Sequence, residues 1–97
     1  MRVRFSTKAQ QDLVGIARFI AEDSPRRAES FVAELVRVCE ALEQHPQRYP
    51  VIPGYIDQQY RRRPFQHYSI IYTISGQDLR IVRVVSAWLD LGNALDD

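Results

Sequence analysis

Cysteine and histidine are scarce in this sequence. Cys39 is the single cysteine, and His45 and His67 are the only histidines among 97 residues. One cysteine cannot form an internal disulfide, which is typical of proteins in a reducing compartment. Neither histidine has carboxylates at helical spacing on the same element, so the ligand spacing of a metal site is missing. We therefore expect no bound metal and a core position for Cys39.

Long apolar runs and glycine-rich motifs are also missing. No run approaches the roughly 20 apolar residues that span a bilayer. The first residues, 1–4, alternate polar and apolar side chains instead of forming the core of a signal peptide. The four glycines build no phosphate-binding loop, and no serine lies in a nucleophile elbow. We expect a cytoplasmic protein with no membrane association and no cofactor, and not a hydrolase of a standard type.

Lysine is nearly absent, and the charged residues are unevenly distributed. Lys8 is the only lysine, against twelve arginines, in a chain with 26% charged and 45% hydrophobic residues. That composition predicts one folded domain over residues 1–97. Residues 9–43 carry a balance of −3, from seven carboxylates and four arginines, whereas residues 59–83 carry +4, from five arginines and one carboxylate. A GC-rich genome would explain arginine in place of lysine, but the clustering indicates an anionic partner, either nucleic acid or an acidic peptide.

A short strand and a helix open the chain. Val3 and Phe5 alternate with arginines, which predicts a strand with one buried face. Thr7 and Gln10 fit a capping box, so a first helix should run from about 8 to 21.

A second helix should follow almost at once. Ser24 is a good N-cap with Pro25 at the first helical position, and the His45-Pro46 pair should end the helix. The short junction between the helices predicts an antiparallel hairpin over about 8–45. A proline-rich loop should then return the chain to the sheet.

Three β-rich runs make up the second half. They span Gln59–Arg63, Tyr68–Ile74 and Leu79–Val85, and they predict an antiparallel meander over about 59–86. The last run is apolar on both faces, which favours a central position beside the first strand. The predicted fold is α+β with two layers: a β-α-α-β-β-β order in which the helix hairpin packs on a mostly antiparallel four-stranded sheet. Residues 89–97 should form a short C-terminal tail, either one frayed helical turn or an arm that orders on a partner.

The sheet carries most of the side chains that could perform chemistry. Arginine forks hold phosphates, tyrosine rings stack on bases, and a histidine can move a proton in RNA cleavage. Four of these side chains also have a purely structural interpretation. His67 would be a rim residue, Tyr72 a core residue, and Arg80 or Arg83 a snorkelling or ion-paired residue. The candidates are Arg61, Arg62, Arg63, His67, Tyr68, Tyr72, Arg80 and Arg83.

The order of these elements and several motifs resemble the ParE/RelE superfamily of bacterial type II toxin–antitoxin modules. The helix pair reads KAxxDLxxIxxFIAxDSPxxAxxFxxxL from Lys8 to Leu35. The sheet reads RRxPFxxYxIIYxI, ending at Ile74, and then IVRVV in the last strand. The resemblance covers nearly the whole chain, and the first helix with its Asp-Ser-Pro junction is closer to the ParE branch than to the RelE branch.

The resemblance implies a growth-arresting toxin of a plasmid-stabilisation system. ParE-branch members poison DNA gyrase, whereas RelE-branch members cut mRNA on the ribosome. Ser86 stands where many relatives have histidine, and Leu89 where many have arginine. The nuclease interpretation is weakened by this departure, because no proton-transferring group replaces the histidine near Arg83. We therefore expect a gyrase inhibitor without catalytic residues of its own.

Two sets of site residues follow. For a gyrase inhibitor, the predicted target-binding residues are Arg61, Arg62, Arg63, Arg83 and Trp88. For a ribosome-dependent endoribonuclease, the catalytic residues would be Arg63, His67, Arg80 and Arg83. The third alternative is a non-toxic module that only binds an antitoxin.

A cognate antitoxin is the partner implied under every one of these alternatives. The predicted helix hairpin and an exposed strand edge leave a groove for an amphipathic helix and an extended segment. We expect an acidic, partly disordered antitoxin tail that orders on binding and forms a hetero-oligomer. Its affinity should fall with salt if the arginines face it.

Overall fold

A computed structural model describes residues 1–87 and 91–95 of the chain. The first half holds the strand β1 (Arg2–Phe5), the helices α1 (Thr7–Ala21) and α2 (Pro25–Ala41), and a 3₁₀ turn (Leu42–Gln44). The second half holds the strands β2 (Arg61–Phe65), β3 (Tyr68–Ser75) and β4 (Asp78–Ser86), and the short helix α3 (Leu91–Leu95). Both helices of the hairpin lie on one face of a four-stranded sheet, and the predicted two-layer α+β fold is confirmed.

Helix α1 begins one residue earlier than predicted. The N-cap is Ser6, not Thr7: Ser6 is extended, and its Oγ accepts the backbone N–H of Ala9 at 3.0 Å. Gln10 reaches back past the cap and donates its side-chain amide to the Phe5 carbonyl at 3.0 Å. A serine and a threonine in succession are both good caps, and strand β1 decides between them because its pairing holds Ser6 in extended geometry.

The start of α2 agrees with the sequence. Ser24 is the N-cap, its Oγ accepts the backbone N–H of Arg27 at 3.1 Å, and Pro25 occupies the first turn. Regular α-helix ends at Ala41, and the 3₁₀ turn carries the winding on to the residue before His45. The helical segment therefore stops where the His-Pro pair predicts, with a tighter last turn.

The sheet has the order β1-β4-β3-β2, with β1 parallel to β4 and the other pairs antiparallel. The central position of β4 beside β1 is thus confirmed. The predicted bounds of β2, Gln59–Arg63, were wrong. Gln59 has a φ of 55°, in the left-handed region, which excludes it from a strand. The strand instead runs through Pro64, which an edge strand tolerates because one side of its backbone needs no N–H.

An extra residue in β4 interrupts the ladder between β3 and β4. Arg83 lies opposite Ile71, whereas Ile81 lies opposite Tyr72, so Val82 is left over as a β-bulge. The bulge changes which residues share a face of the strand, and it is not visible in the hydrophobic pattern. Its position beside Arg83 matters for the site described below.

Two apolar clusters stabilise the fold. The larger fills the space between the helices and the sheet and includes Phe31, Leu35, Ile70 and Tyr72. The smaller lies on the opposite face of the sheet, where Ile71 and Val82 are covered by Ile52 and other parts of the 51–60 loop and by α3. Both faces of β4 are therefore buried, as its sequence predicts.

The burial of Cys39 makes stability sensitive to alkali. Burial raises the pKa of the Cys39 thiol from 9.0 to about 12. Because the pKa of this thiol is higher in the folded protein than in the unfolded chain, its contribution to stability is fully present below pH 9. That contribution is lost as the pH rises from 9 towards 12. We expect wild type to lose about 1 kcal/mol of unfolding free energy at pH 10 through this group. Urea unfolding between pH 8 and pH 10 should show a weaker pH dependence in Cys39→Ala.

The comparison with Cys39→Ala isolates the thiol because Tyr72, whose pKa is also raised by burial, is present in both proteins. The alanine variant should be less stable than wild type at pH 8, since a buried side chain becomes smaller. Equal slopes with pH in the two proteins would show that Cys39 is not the source of the alkaline instability.

Candidate functional site

The three consecutive arginines of β2 do not form one surface. Arg61 lies opposite Tyr72 and Arg63 opposite Ile70, both residues of the cluster under the helices. Arg62 lies opposite Ile71, which belongs to the cluster on the other face. Successive side chains of a strand point to opposite faces, so the predicted target-binding set is divided between two sides of the sheet.

All three of these arginines have polar partners within the fold, and the Nη1 of Arg63 donates to the backbone carbonyl of its neighbour Pro64. The Nη1 of Arg61 donates to the backbone carbonyls of Gln47, at 3.2 Å, and Tyr49. The Nε of Arg62 donates to the Oγ of Ser69 at 2.8 Å. Arg61 thereby holds the loop after α2 against the sheet, and Arg62 bridges β2 to β3.

Arg63 lies in a cluster of cations and aromatic rings. Its guanidinium lies 5.5 Å from the ring centroid of Tyr49 and 5.9 Å from that of Phe65. Arg48 lies 5.6 Å from the same Tyr49 ring. We call Arg48, Tyr49 and Arg63 the basic–aromatic patch. These distances are in the cation–π range, so the ring restricts the positions of both guanidinium groups.

Arg83 forms a largely buried ion pair with helix α1. Its Nε and Nη2 donate to the two carboxylate oxygens of Asp12, at 2.8 and 2.9 Å, and the two side chains are only 20% and 15% exposed. The same carboxylate accepts the backbone N–H of Val84 at 2.9 Å, and the Arg83 Nη1 donates to the Ala94 carbonyl at 2.8 Å. One side chain thus joins β4 to α1 and to α3.

The four candidate nuclease residues do not come together. Arg63 is on the edge strand β2, His67 is in the exposed turn between β2 and β3, and Arg83 is engaged by Asp12. Arg80 lies opposite Thr73. His67 is close to the other end of β4, where the strand finishes at Ser86. Six residues of strand span about 20 Å. The geometry supplies no shared site for these four side chains.

An open groove lies between the helix hairpin and the end of the sheet where His67 is found. Its apolar lining comes from Phe19 and Ile20 of α1, Phe31 of α2 and Tyr68 of β3. We call it the hairpin groove. Phe19 is 68% exposed, which is unusual for a phenylalanine. The polar rim of the groove consists of Arg27, Gln66, His67 and Ser86.

Several residues of interest were missed by sequence reasoning. Phe19 and Val14 fall outside the buried stripe of α1 and are exposed. The helical periodicity of the sequence therefore already indicates that these two apolar side chains face away from the core. Arg48 was overlooked because it lies in a loop beyond the predicted elements. Trp88, a predicted target-binding residue, lies outside the described residues.

Two negative findings concern the part of the chain that the structure describes. It contains no group of three or more histidine, cysteine, aspartate or glutamate residues placed to hold a metal ion. None of its helices combines the length and the apolar character needed to cross a membrane.

Comparisons with known proteins agree with this architecture. A family model described as "ParE toxin of type II toxin-antitoxin system, parDE" matches residues 3–87. No curated protein matches the chain. A solved structure, "Chromosomal ParDE TA system from P. aeruginosa", superimposes with a TM-score of 0.75 at 20% identity and covers 89% of this chain and 95% of that chain. At that identity the superposition shows the fold, and the family model shows the membership, which confirms the resemblance to the ParE branch. The chain therefore belongs to the ParE toxin family of type II toxin–antitoxin systems.

Proposed function

We propose that this toxin arrests bacterial growth by poisoning DNA gyrase and that a cognate antitoxin neutralises it. The observation that carries the choice of target is the separation of Arg63, His67, Arg80 and Arg83. A nuclease needs its acid, base and phosphate-binding groups within hydrogen-bond reach of one substrate. Poisoning a large enzyme requires only a complementary surface, and this chain has exposed surface of both basic and apolar character.

Of the predicted target-binding residues, the arginines of β2 support the proposal better than Arg83. The guanidinium of Arg83 is committed to Asp12 and Ala94. Arg62 and Arg63 are partly exposed and have no carboxylate partner among the described residues. We propose these two arginines, on opposite faces of the edge strand, as contacts to the target, with Trp88 as a third.

The hairpin groove is the proposed docking site for the antitoxin. Its aromatic lining suits the apolar face of an amphipathic helix. Arg27 at the rim, with Arg18 and Arg26 exposed nearby in sequence, favours a helix with acidic flanks. The similar P. aeruginosa structure is of a ParDE TA system, and we propose the same pairing of toxin with antitoxin for this chain.

Cell length after induction tests the proposed target. The chain should be induced alone in a bacterium and then together with its cognate antitoxin. Gyrase poisoning breaks DNA and blocks division, so we expect long filaments that the antitoxin prevents. His67→Ala should be equally toxic, since a gyrase inhibitor needs no general base.

Two outcomes would contradict the proposal. Growth arrest at normal cell length that His67→Ala abolishes would indicate inhibition of translation by mRNA cleavage. Unimpeded growth with stable expression would leave only a non-toxic module that binds the antitoxin.

A further inference from the structure

The loop after α2 is held against the sheet by three hydrogen bonds. Arg61 donates to the carbonyls of Gln47 and Tyr49, and the Tyr72 hydroxyl donates to the Pro46 carbonyl at 2.8 Å. Three of the four residues from 46 to 49 are therefore fixed through their backbone by buried or partly buried side chains. A loop held in this way places its remaining side chains accurately.

The side chains that this loop presents belong to the basic–aromatic patch. The Tyr49 ring lies near the guanidinium groups of Arg48 and Arg63, at 5.6 and 5.5 Å from its centroid. An arginine that packs on a ring keeps its N–H edge available for hydrogen bonds to an anion. In Arg63 the Nη1 already donates to the Pro64 carbonyl, and the remaining N–H groups of its five-donor guanidinium are left for a ligand. The cost in side-chain entropy of ordering both arginines is thereby reduced before any ligand arrives.

The patch carries positive charge that the fold does not neutralise. Within residues 1–87 and 91–95, neither Arg48 nor Arg63 has a carboxylate within ion-pairing distance. Residues 44–65 contain four arginines and one aspartate, a local balance of +3. Arg4 and Arg83, by contrast, both have an aspartate partner. An uncompensated, ordered pair of arginines is suited to bind an external anion.

The patch is also remote from the hairpin groove. Arg27 lines the groove, whereas Ala41, at the other end of α2, lines the depression beside Arg48 and Arg63. The intervening length of helix is about 21 Å. A partner seated in the groove would leave the patch accessible.

We propose that the basic–aromatic patch binds the phosphodiester backbone of double-stranded DNA without reading its sequence. Two forked guanidinium groups suit successive phosphates, and the neighbouring Gln44, His45 and Gln47 side chains supply further polar groups of the kind that contact phosphate and sugar. An acidic peptide is the less suitable ligand, because Tyr49, the ring that would anchor a peptide side chain, is already occupied by arginines. The inference goes beyond gyrase poisoning and does not require it.

Salt-dependent DNA binding by the isolated full chain tests this inference. A fluorescently labelled 20-base-pair duplex is titrated in rising NaCl, and the anisotropy gives the dependence of log K on log salt. Each lost phosphate contact makes this slope less negative by about 0.9. We expect the slope of the double variant Arg48→Gln/Arg63→Gln to be less negative than that of wild type by about 1.8. Arg48→Gln alone, at an exposed position that should not affect folding, is expected to make the slope less negative by about 0.9.

The matched control is Arg2→Gln/Arg26→Gln, which removes the same charge from exposed positions outside the patch. Its slope should equal that of wild type, although its affinity falls slightly from the change in net charge. An unchanged slope in the patch variants, or equal loss in the control, would overturn the proposal. So would displacement of the DNA by poly-glutamate at equal charge concentration, which would assign the patch to an acidic protein. No gyrase is present, so failure here leaves the gyrase proposal standing.

Discussion

Replacing Arg83 by methionine is expected to lower the free energy of unfolding by about 3 kcal/mol. Methionine keeps much of the apolar stem, so the main loss is the guanidinium that joins Asp12 and the Ala94 carbonyl. Asp12 then remains as a largely buried carboxylate whose described partner is one backbone N–H, that of Val84. In a domain of this size the thermal midpoint should fall by about 12 °C or more. Thermal and urea unfolding followed by circular dichroism measure both quantities.

Arg4→Met is the matched control for this prediction. Arg4 pairs with Asp78 at 3.1 Å, but the two side chains are 56% and 39% exposed. Exposed pairs contribute about 1 kcal/mol at most because water and salt screen them. If Arg83→Met and Arg4→Met lower the free energy of unfolding equally, Arg83 does not have the structural role assigned to it. A double-mutant cycle with Asp12→Ala would measure the coupling between Asp12 and Arg83 directly.

Phe19→Ala is expected to weaken antitoxin binding by roughly 30- to 150-fold while leaving the stability of the toxin nearly unchanged. Aromatic anchors at the centre of a groove contribute about 2 to 3 kcal/mol to association. Phe19 is mostly exposed in the free chain, so its truncation removes little packing. The measurement is isothermal titration of the purified cognate antitoxin into each toxin variant.

Val14→Ala provides the comparison on the same helix. Val14 is 49% exposed but does not line the hairpin groove. Its substitution should change the dissociation constant by less than about threefold, as expected for residues outside a binding hot spot. Wild-type affinity in Phe19→Ala, or an equal loss in Val14→Ala, would move the antitoxin away from this groove.

Periodicity and caps in the sequence were enough to predict the order of the elements. The apolar stripe of α2, the Ser24-Pro25 start and the doubly apolar β4 each correspond to what the structure contains. The error at the start of α1 lies where two neighbouring residues compete for the N-cap. Ser6 and Thr7 are both good caps by type. The hydrogen bond from the Ser6 N–H to the Ile81 carbonyl, a contact distant in sequence, decides between them.

The candidate site was less predictable because it depends on side-chain partners. The helical half offers seven carboxylates to a basic sheet, and no local rule selects Asp12 for Arg83, which lies 71 residues away. The bulge at Val82 also alters the register that alternation would give. The division of Arg61, Arg62 and Arg63 over two faces, however, follows from strand alternation alone and was available from the sequence.

The most direct test of the proposed function is DNA cleavage by purified gyrase in the presence of this chain. Gyrase, supercoiled plasmid, ATP and the toxin are incubated together and then quenched with detergent and protease. A gyrase poison should convert the plasmid to linear molecules in proportion to toxin, and prior addition of the antitoxin should prevent this. Intact supercoiled plasmid at saturating toxin, together with cleavage of mRNA in a translating extract, would contradict the gyrase proposal and assign the chain to the ribosome.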